Sequence, residues 1–174
     1  NVYAFTHGYN PSGQESSNLP DATTAITDIK DSIKSTKEEN PNLTDIVLIG
    51  HSWGGSDVYE ISKWIKEENI ELRIVGTVYV DAVTLNGFGA ENRMPIETHS
   101  MLNIYQSDAT LFGDYGLQIN GGPIDNPDNN IELIEMDLDE NKNMHNHTSI
   151  DEASVPDILQ FIHERVTTLH DVQS

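Results

Sequence analysis

The pentapeptide Gly50-His51-Ser52-Trp53-Gly54 is the strongest chemical pattern in the sequence. A serine hydroxyl at neutral pH is a weak nucleophile, so it reacts only where a fold exposes it beside a base. A sharp turn from a strand into a helix does this. In the spacing G-x-S-x-G, a glycine stands two residues to either side of the serine, where a side chain would crowd the bend. An apolar run at 45–49 precedes the motif and a helix-spaced stripe beginning near Val58 follows it, so Ser52 is the expected nucleophile. The same turn sets the Trp53 backbone N–H at a helix start, where orphan amides and the dipole favour the negative oxygen of a tetrahedral intermediate. A second such donor is expected from the loop after an earlier strand. Phe5-Thr6-His7-Gly8-Tyr9 occupies that place, which makes the Tyr9 N–H the candidate.

A strand ending in His7-Gly8, followed downstream by G-H-S-x-G-G on a bend, resembles the α/β-hydrolases, particularly the small lipases and esterases. The resemblance implies a nucleophile, acid and base in the order Ser, Asp or Glu, His, acting on a carboxylic ester through an acyl-enzyme without a cofactor. Two aspartates compete for the acid. Asp81, in Val80-Asp81-Ala82-Val83, is similar to the Leu-Asp-Pro segment of the pancreatic-type lipases, with Ala82 where that pattern has proline. Asp108 follows the next strand, the usual acid position across the superfamily. Asp81 is preferred because its apolar flanks exclude water and strengthen its bond to an imidazole, whereas Asp108 reads equally as a turn residue. Asp137 and Asp139 rank third. Among seven histidines, His7 and His51 belong to the motifs, and His163 and His170 fall on the closing helix. His99, His145 and His147 remain. His147 is favoured because His-Thr-x-Ile-Asp leading into a helix is similar to the histidine segment of some bacterial lipase-like hydrolases, with His145 next. Tyr9 after His-Gly also resembles lipases whose second oxyanion residue is bulky, which implies medium or longer acyl chains.

Positioning these groups requires a sheet with its carboxyl ends gathered at one edge. Strand-length apolar runs occur at 2–6, 45–49, 74–81, 101–106 and 131–136. Several are apolar at nearly every position, as in a parallel sheet covered on both faces. Between them, Ala22, Ala25, Ile26, Ile29 and Ile33 form one helical stripe, ended by Asn40-Pro41. Val58, Ile61 and Ile65 form a second, running to Asn69. Val155, Ile158, Leu159, Ile162, Val166 and Leu169 form a third, with Ser154 and Asp157 fitting a capping box at its start. The alternation predicts an α/β fold: one domain over 1–174, with a mostly parallel central sheet of five to six strands and helices on both faces. The stretch 107–130 reads as a long loop, and 85–99 as irregular with at most a short helix near Glu97. Leu85, Phe88, Leu111 and Phe112 in these stretches are candidates to line an acyl pocket at the carboxyl edge, where open α/β sheets bind ligands.

The 174 residues carry nine Lys and Arg against 29 Asp and Glu, a net charge of -20. Nucleic acid and anionic membrane surfaces would be repelled; the resemblance implies a small-molecule or lipid ester as the partner. With no cysteine, disulfides, thiolate metal sites and cysteine nucleophiles are excluded. Asp137-x-Asp139-x-Asn141-x-Asn143 starts like a calcium loop but has Lys142 where glycine is needed and Thr148 where glutamate is needed, so it reads as a solvated turn and no metal is expected. No apolar run reaches membrane-spanning length, and the opening on an apolar stretch favours a processed, secreted form. The same triad could serve an amidase, peptidase or acyltransferase, and the scaffold without turnover would be a binding protein.

Overall fold

The structure, a computed structural model, describes residues 22–84, 89–106, 121–125, 128, 130–138 and 150–171. Its elements run α1 (Ala22–Glu39), β1 (Asp45–His51), α2 (Gly54–Glu67), β2 (Arg73–Val80), β3 (Ser100–Tyr105), β4 (Glu132–Asp137) and α3 (Ile150–Asp171). The four strands form one sheet in the order β1-β2-β3-β4, every pair parallel. The α/β expectation therefore holds. Among the described residues the sheet has four strands, fewer than the five to six expected, and the run at 2–6 lies outside them.

Parallel pairing brings all four carboxyl ends to one edge, and crossover helices cover both faces. On one face Ile33 of α1 and Val58, Ile61, Trp64 and Ile65 of α2 pack on Ile46, Leu48, Ile74, Tyr79 and Met101. On the other, Ile150 and Phe161 of α3 pack on Val78, Val80, Leu102 and Ile104. The buried strands are apolar on both faces because both faces are covered. Helix α1 stops where Asn40-Pro41 follows it, and the Lys37 ammonium donates to the carbonyls of Pro41 at 3.0 Å and Leu43 at 2.7 Å just beyond its end. Lys30 and Lys34, one turn apart on α1, set their ammonium groups 5.4 and 5.3 Å from the Trp64 ring centroid and so tie α1 to α2.

A register shift interrupts the β1–β2 ladder. Ile46 pairs with Ile74 but Val47 pairs with Gly76, so Val75 is an extra residue on β2. Its carbonyl accepts a hydrogen bond from Ser100 Oγ at 2.9 Å. Beyond the bulge, Gly76 lies under α3: a Cβ there would sit 3.0 Å from the Phe161 ring. The missing side chain makes the seat for that ring.

Two local expectations need correction. Helix α3 starts at Ile150, so Ser154 does not cap it; its buried hydroxyl donates to the Ile150 carbonyl at 2.7 Å, one turn back. Val155 and Leu159 of the expected apolar stripe are exposed, whereas Ile150, Ser154 and Phe161 are buried and Ile158 of that stripe packs beside them. Near Glu97 there is a turn with Glu97 at φ 56 rather than a short helix. Among the described residues, no helix is long and apolar enough to cross a membrane.

Because Phe161 supplies the largest buried side chain that α3 lays on the sheet, Phe161→Ala is expected to cost about 3 kcal/mol or more of unfolding free energy. Urea unfolding measures it, and a loss within about 0.5 kcal/mol would show that α3 is held by other contacts.

Candidate active site

The bend at Ser52 is built as the spacing demands. Strand β1 runs through Gly50 and His51, and α2 begins at Gly54. A Cβ on Gly50 would fall on the Gly54 carbonyl, and one on Gly55 would fall on the Ala82 side chain, so neither position accepts a larger residue without moving backbone. Ser52 itself has φ 56, in the left-handed region that residues with a Cβ rarely occupy. Backbone hydrogen bonds hold it there: its N–H donates to Val80 O at 3.0 Å, and its carbonyl accepts from Val83 N at 3.0 Å and Gly55 N at 3.1 Å. Trp53 is the N-cap of α2, with no side-chain capping bond, so the start of that helix is shaped by the bend.

Those bonds bracket Asp81. His51 is the register partner of Val80, so the residue after each strand end, Ser52 on one and Asp81 on the other, stands next to its counterpart. Asp81 is also left-handed, at φ 44, and its N–H donates to Ile104 O at 2.7 Å, continuing the ladder to β3. Its carboxylate is fully buried. Gly121 N donates to Oδ1 at 2.6 Å and Gln106 Nε2 donates to Oδ2 at 2.9 Å. Low surrounding polarity strengthens whatever this charge faces.

A second buried carboxylate supports the bend from below. Glu91, fully buried, accepts from Ser56 Oγ of α2 at 2.6 Å, from Arg93 Nη2 at 2.6 Å, from Arg93 Nε at 2.8 Å and from the Arg93 amide at 3.1 Å. Its own N–H donates to Ala82 O at 2.9 Å. Burial pushes this carboxyl up, but the Arg93 guanidinium and the Ser56 hydroxyl outweigh burial and hold it below the usual carboxylate range. Arg93 in turn stacks over Tyr59, 3.9 Å from the ring centroid, and meets Glu60 at 3.3 Å. Glu91 thus ties the first turn of α2 to the chain that leaves β2.

The structure brings together three of the expected site residues, Ser52, Trp53 and Asp81, at the carboxyl edge. Tyr9, Leu85, Phe88, Asp108, Leu111, Phe112, Asp139, His145 and His147 lie outside the described residues. Asp137 ends β4, two strands from Asp81. His99 is excluded as the base: it precedes β3 at the opposite edge, where its Nδ1 lies 3.1 Å from the Ile74 carbonyl. His163 is exposed along α3. The stretch 139–149, which contains His145 and His147, joins β4 to α3. Asp137 ends at the carboxyl edge, and Ile150 packs in one cluster with Val80 and Ile104 near the ends of β2 and β3. Sequence reasoning missed Gln106, Gly121, Glu91 and Arg93. The only signal for them was a polar residue closing an apolar strand and an isolated Glu-x-Arg in an irregular stretch. Among the described residues, no group of His, Asp and Glu could hold a metal ion.

Breaking one side of a buried charge pair leaves the other uncompensated. Because Arg93 is 42% exposed and its charge is partly screened, Glu91→Gln is expected to cost about 2 kcal/mol at neutral pH, less than the roughly 3–5 kcal/mol of a fully buried pair. The folded-state carboxyl titrates below its unfolded value, so its contribution is complete above the ordinary carboxylate range and disappears as pH falls through the folded value. Urea unfolding at a series of pH values should therefore show the gap between parent and Glu91→Gln closing below roughly pH 4; a gap that widens on acidification would contradict this. No protein-family model, no curated protein and no solved structure matches the chain.

Proposed function

We propose that the chain is a serine hydrolase of carboxylic esters, built on a minimal α/β-hydrolase plan and working through a Ser52–Asp81–His147 triad. One observation carries this reading: a serine forced into the left-handed region at a strand-to-helix bend, beside a buried, doubly hydrogen-bonded aspartate at the end of the neighbouring strand. Strain of this kind persists where the surroundings over-determine it, and it concentrates at reacting groups.

The residues divide the work as follows. Ser52 Oγ attacks the ester carbonyl carbon while His147 takes its proton. Asp81 orients the imidazole and stabilises it when charged. The Trp53 N–H, at the amino end of α2, and the Tyr9 N–H hold the oxyanion. Collapse breaks the bond to the alkoxy group, which leaves with the proton from His147. Water, deprotonated by the same imidazole, then attacks the acyl-enzyme and releases the acid and the Ser52 hydroxyl. Leu85, Phe88, Leu111 and Phe112 line the acyl side of a small-molecule or lipid ester, and no cofactor takes part.

A fluorophosphonate probe tests the reading directly. The parent chain should be labelled and Ser52→Ala should not; a parent chain that takes no label, and cleaves no nitrophenyl ester of any acyl length at low or high salt, is not this enzyme. Ser52→Ala and His147→Ala should each abolish cleavage with unfolding midpoints retained. Asp81→Asn should lower kcat by about 10³-fold or more, as loss of the orienting carboxylate does in such triads. A larger loss in Asp108→Asn would transfer the role of acid to that residue.

A further inference from the structure

We infer that Gln106 is a positioning residue for Asp81, the acid of the proposed triad; this rests on the hydrolase reading above. Gln106 is the first residue after β3, one strand beyond Asp81, and it is fully buried. An ionised carboxylate only accepts hydrogen bonds, so the side-chain amide must present its nitrogen to Asp81 and not its oxygen. The 2.9 Å contact from Gln106 Nε2 to Oδ2 is consequently a directed bond with one possible polarity. Tyr105 and Gln106 continue from the β3 segment whose Ile104 carbonyl accepts the Asp81 N–H. Backbone and side chain of Asp81 are thereby referred to the same strand.

The other carboxylate oxygen is fixed by a separate construction. Gly121 N reaches Oδ1 at 2.6 Å, and a Cβ on Gly121 would sit 2.9 Å from Asp81 Cα and 3.0 Å from Tyr105 Cβ. Residues 121–125 are strapped down along their length: Asn103 Nδ2 donates to Gly122 O at 2.9 Å, Ile124 N donates to Glu135 Oε1 at 2.8 Å, and Asp125 N donates to Asn92 O at 2.9 Å. Two donors from two independently anchored segments leave the carboxylate plane no freedom to rotate. Holding that plane is what an imidazole partner requires, because the direction of the carboxylate lone pairs sets the tilt of the ring and which nitrogen carries the proton. Gln106 acts through Asp81 and not on the ester.

A double-mutant cycle separates this role from simple support of the fold. Nitrophenyl ester cleavage is measured for the parent chain, Gln106→Leu, Asp81→Asn and the double variant, with thermal unfolding of each. Gln106→Leu should lower kcat by roughly 10- to 100-fold, the scale seen when an outer partner that orients a reacting group is lost, with KM unchanged within about twofold. In the Asp81→Asn background the same substitution should cost less than about twofold, because its effect passes through a carboxylate no longer present. Gln106→Met, which keeps the length and removes the donor without adding a charge, should show the same pattern and guards against a folding defect in the leucine variant. Equal losses in both backgrounds, or a rise in KM at constant kcat, would overturn the role of Gln106. A parent chain that neither cleaves ester nor takes a fluorophosphonate label fails earlier, at the hydrolase reading.

Discussion

Holding two adjacent strand ends in the left-handed conformation is the constraint on which the rest depends. A residue with a Cβ loses roughly 1–2 kcal/mol in that region, and Ser52 and Asp81 both occupy it side by side. Neither could stay there alone. The Ser52 N–H and carbonyl are bonded to Val80 and Val83, on either side of Asp81, while the Asp81 N–H is bonded to Ile104. Three strands thus share one set of bonds that local relaxation of either residue would break. The glycines at 50 and 55 are required because the bend closes so tightly that Cβ atoms there would meet the backbone or Ala82. The apolar layers on both faces supply the burial that keeps the strands, and so the bend, in place.

Two of the buried carboxylates near this bend, Glu91 and Asp81, are treated differently. Glu91 is surrounded by a guanidinium, a hydroxyl and an amide, so its charge is met where it stands and it works as a strut between α2 and the chain after β2. Asp81 instead receives a side-chain amide and a glycine N–H. Neutral donors fix a carboxylate's direction while leaving its charge to act on a neighbour. That contrast in partners is what the proposed role of Asp81, as opposed to Glu91, rests on.

The bend was legible in the sequence because its demands are local: a strand, glycines at fixed offsets and a helix all fall within about twenty residues of Ser52. Asp81 was legible for a related reason, since a charged residue closing an apolar run has few places to go but a strand end. The covering helices were read from their periodicity, although in α3 only part of the expected stripe packs on the sheet: Ile158 does, while Val155 and Leu159 are exposed. Gln106, Gly121 and Glu91 were not legible. Their roles come from pairings 25 to 40 residues apart, and nothing in a polar residue's own neighbourhood tells that a distant carboxylate will need it. The sheet's all-apolar runs announced coverage on both faces but concealed the phase of each strand.

That phase matters most in β2. The surplus residue at Val75 divides the strand into two segments with opposite odd-even parity, so Ile74 and Tyr79 can both enter the layer of α1 and α2 while Val78 and Val80 enter that of α3. Everything downstream inherits the second parity, including the side of the sheet toward which residue 81 leaves. Straightening the kink with Val75 kept in the ladder would leave the Arg73 end undisturbed yet transpose the phenol of Tyr79 and the methyls of Val80, sending the chain into its turn half a period out of step. The aspartate's orientation is thus decided some twenty ångströms away, since six residues of strand at about 3.3 Å each separate it from the kink.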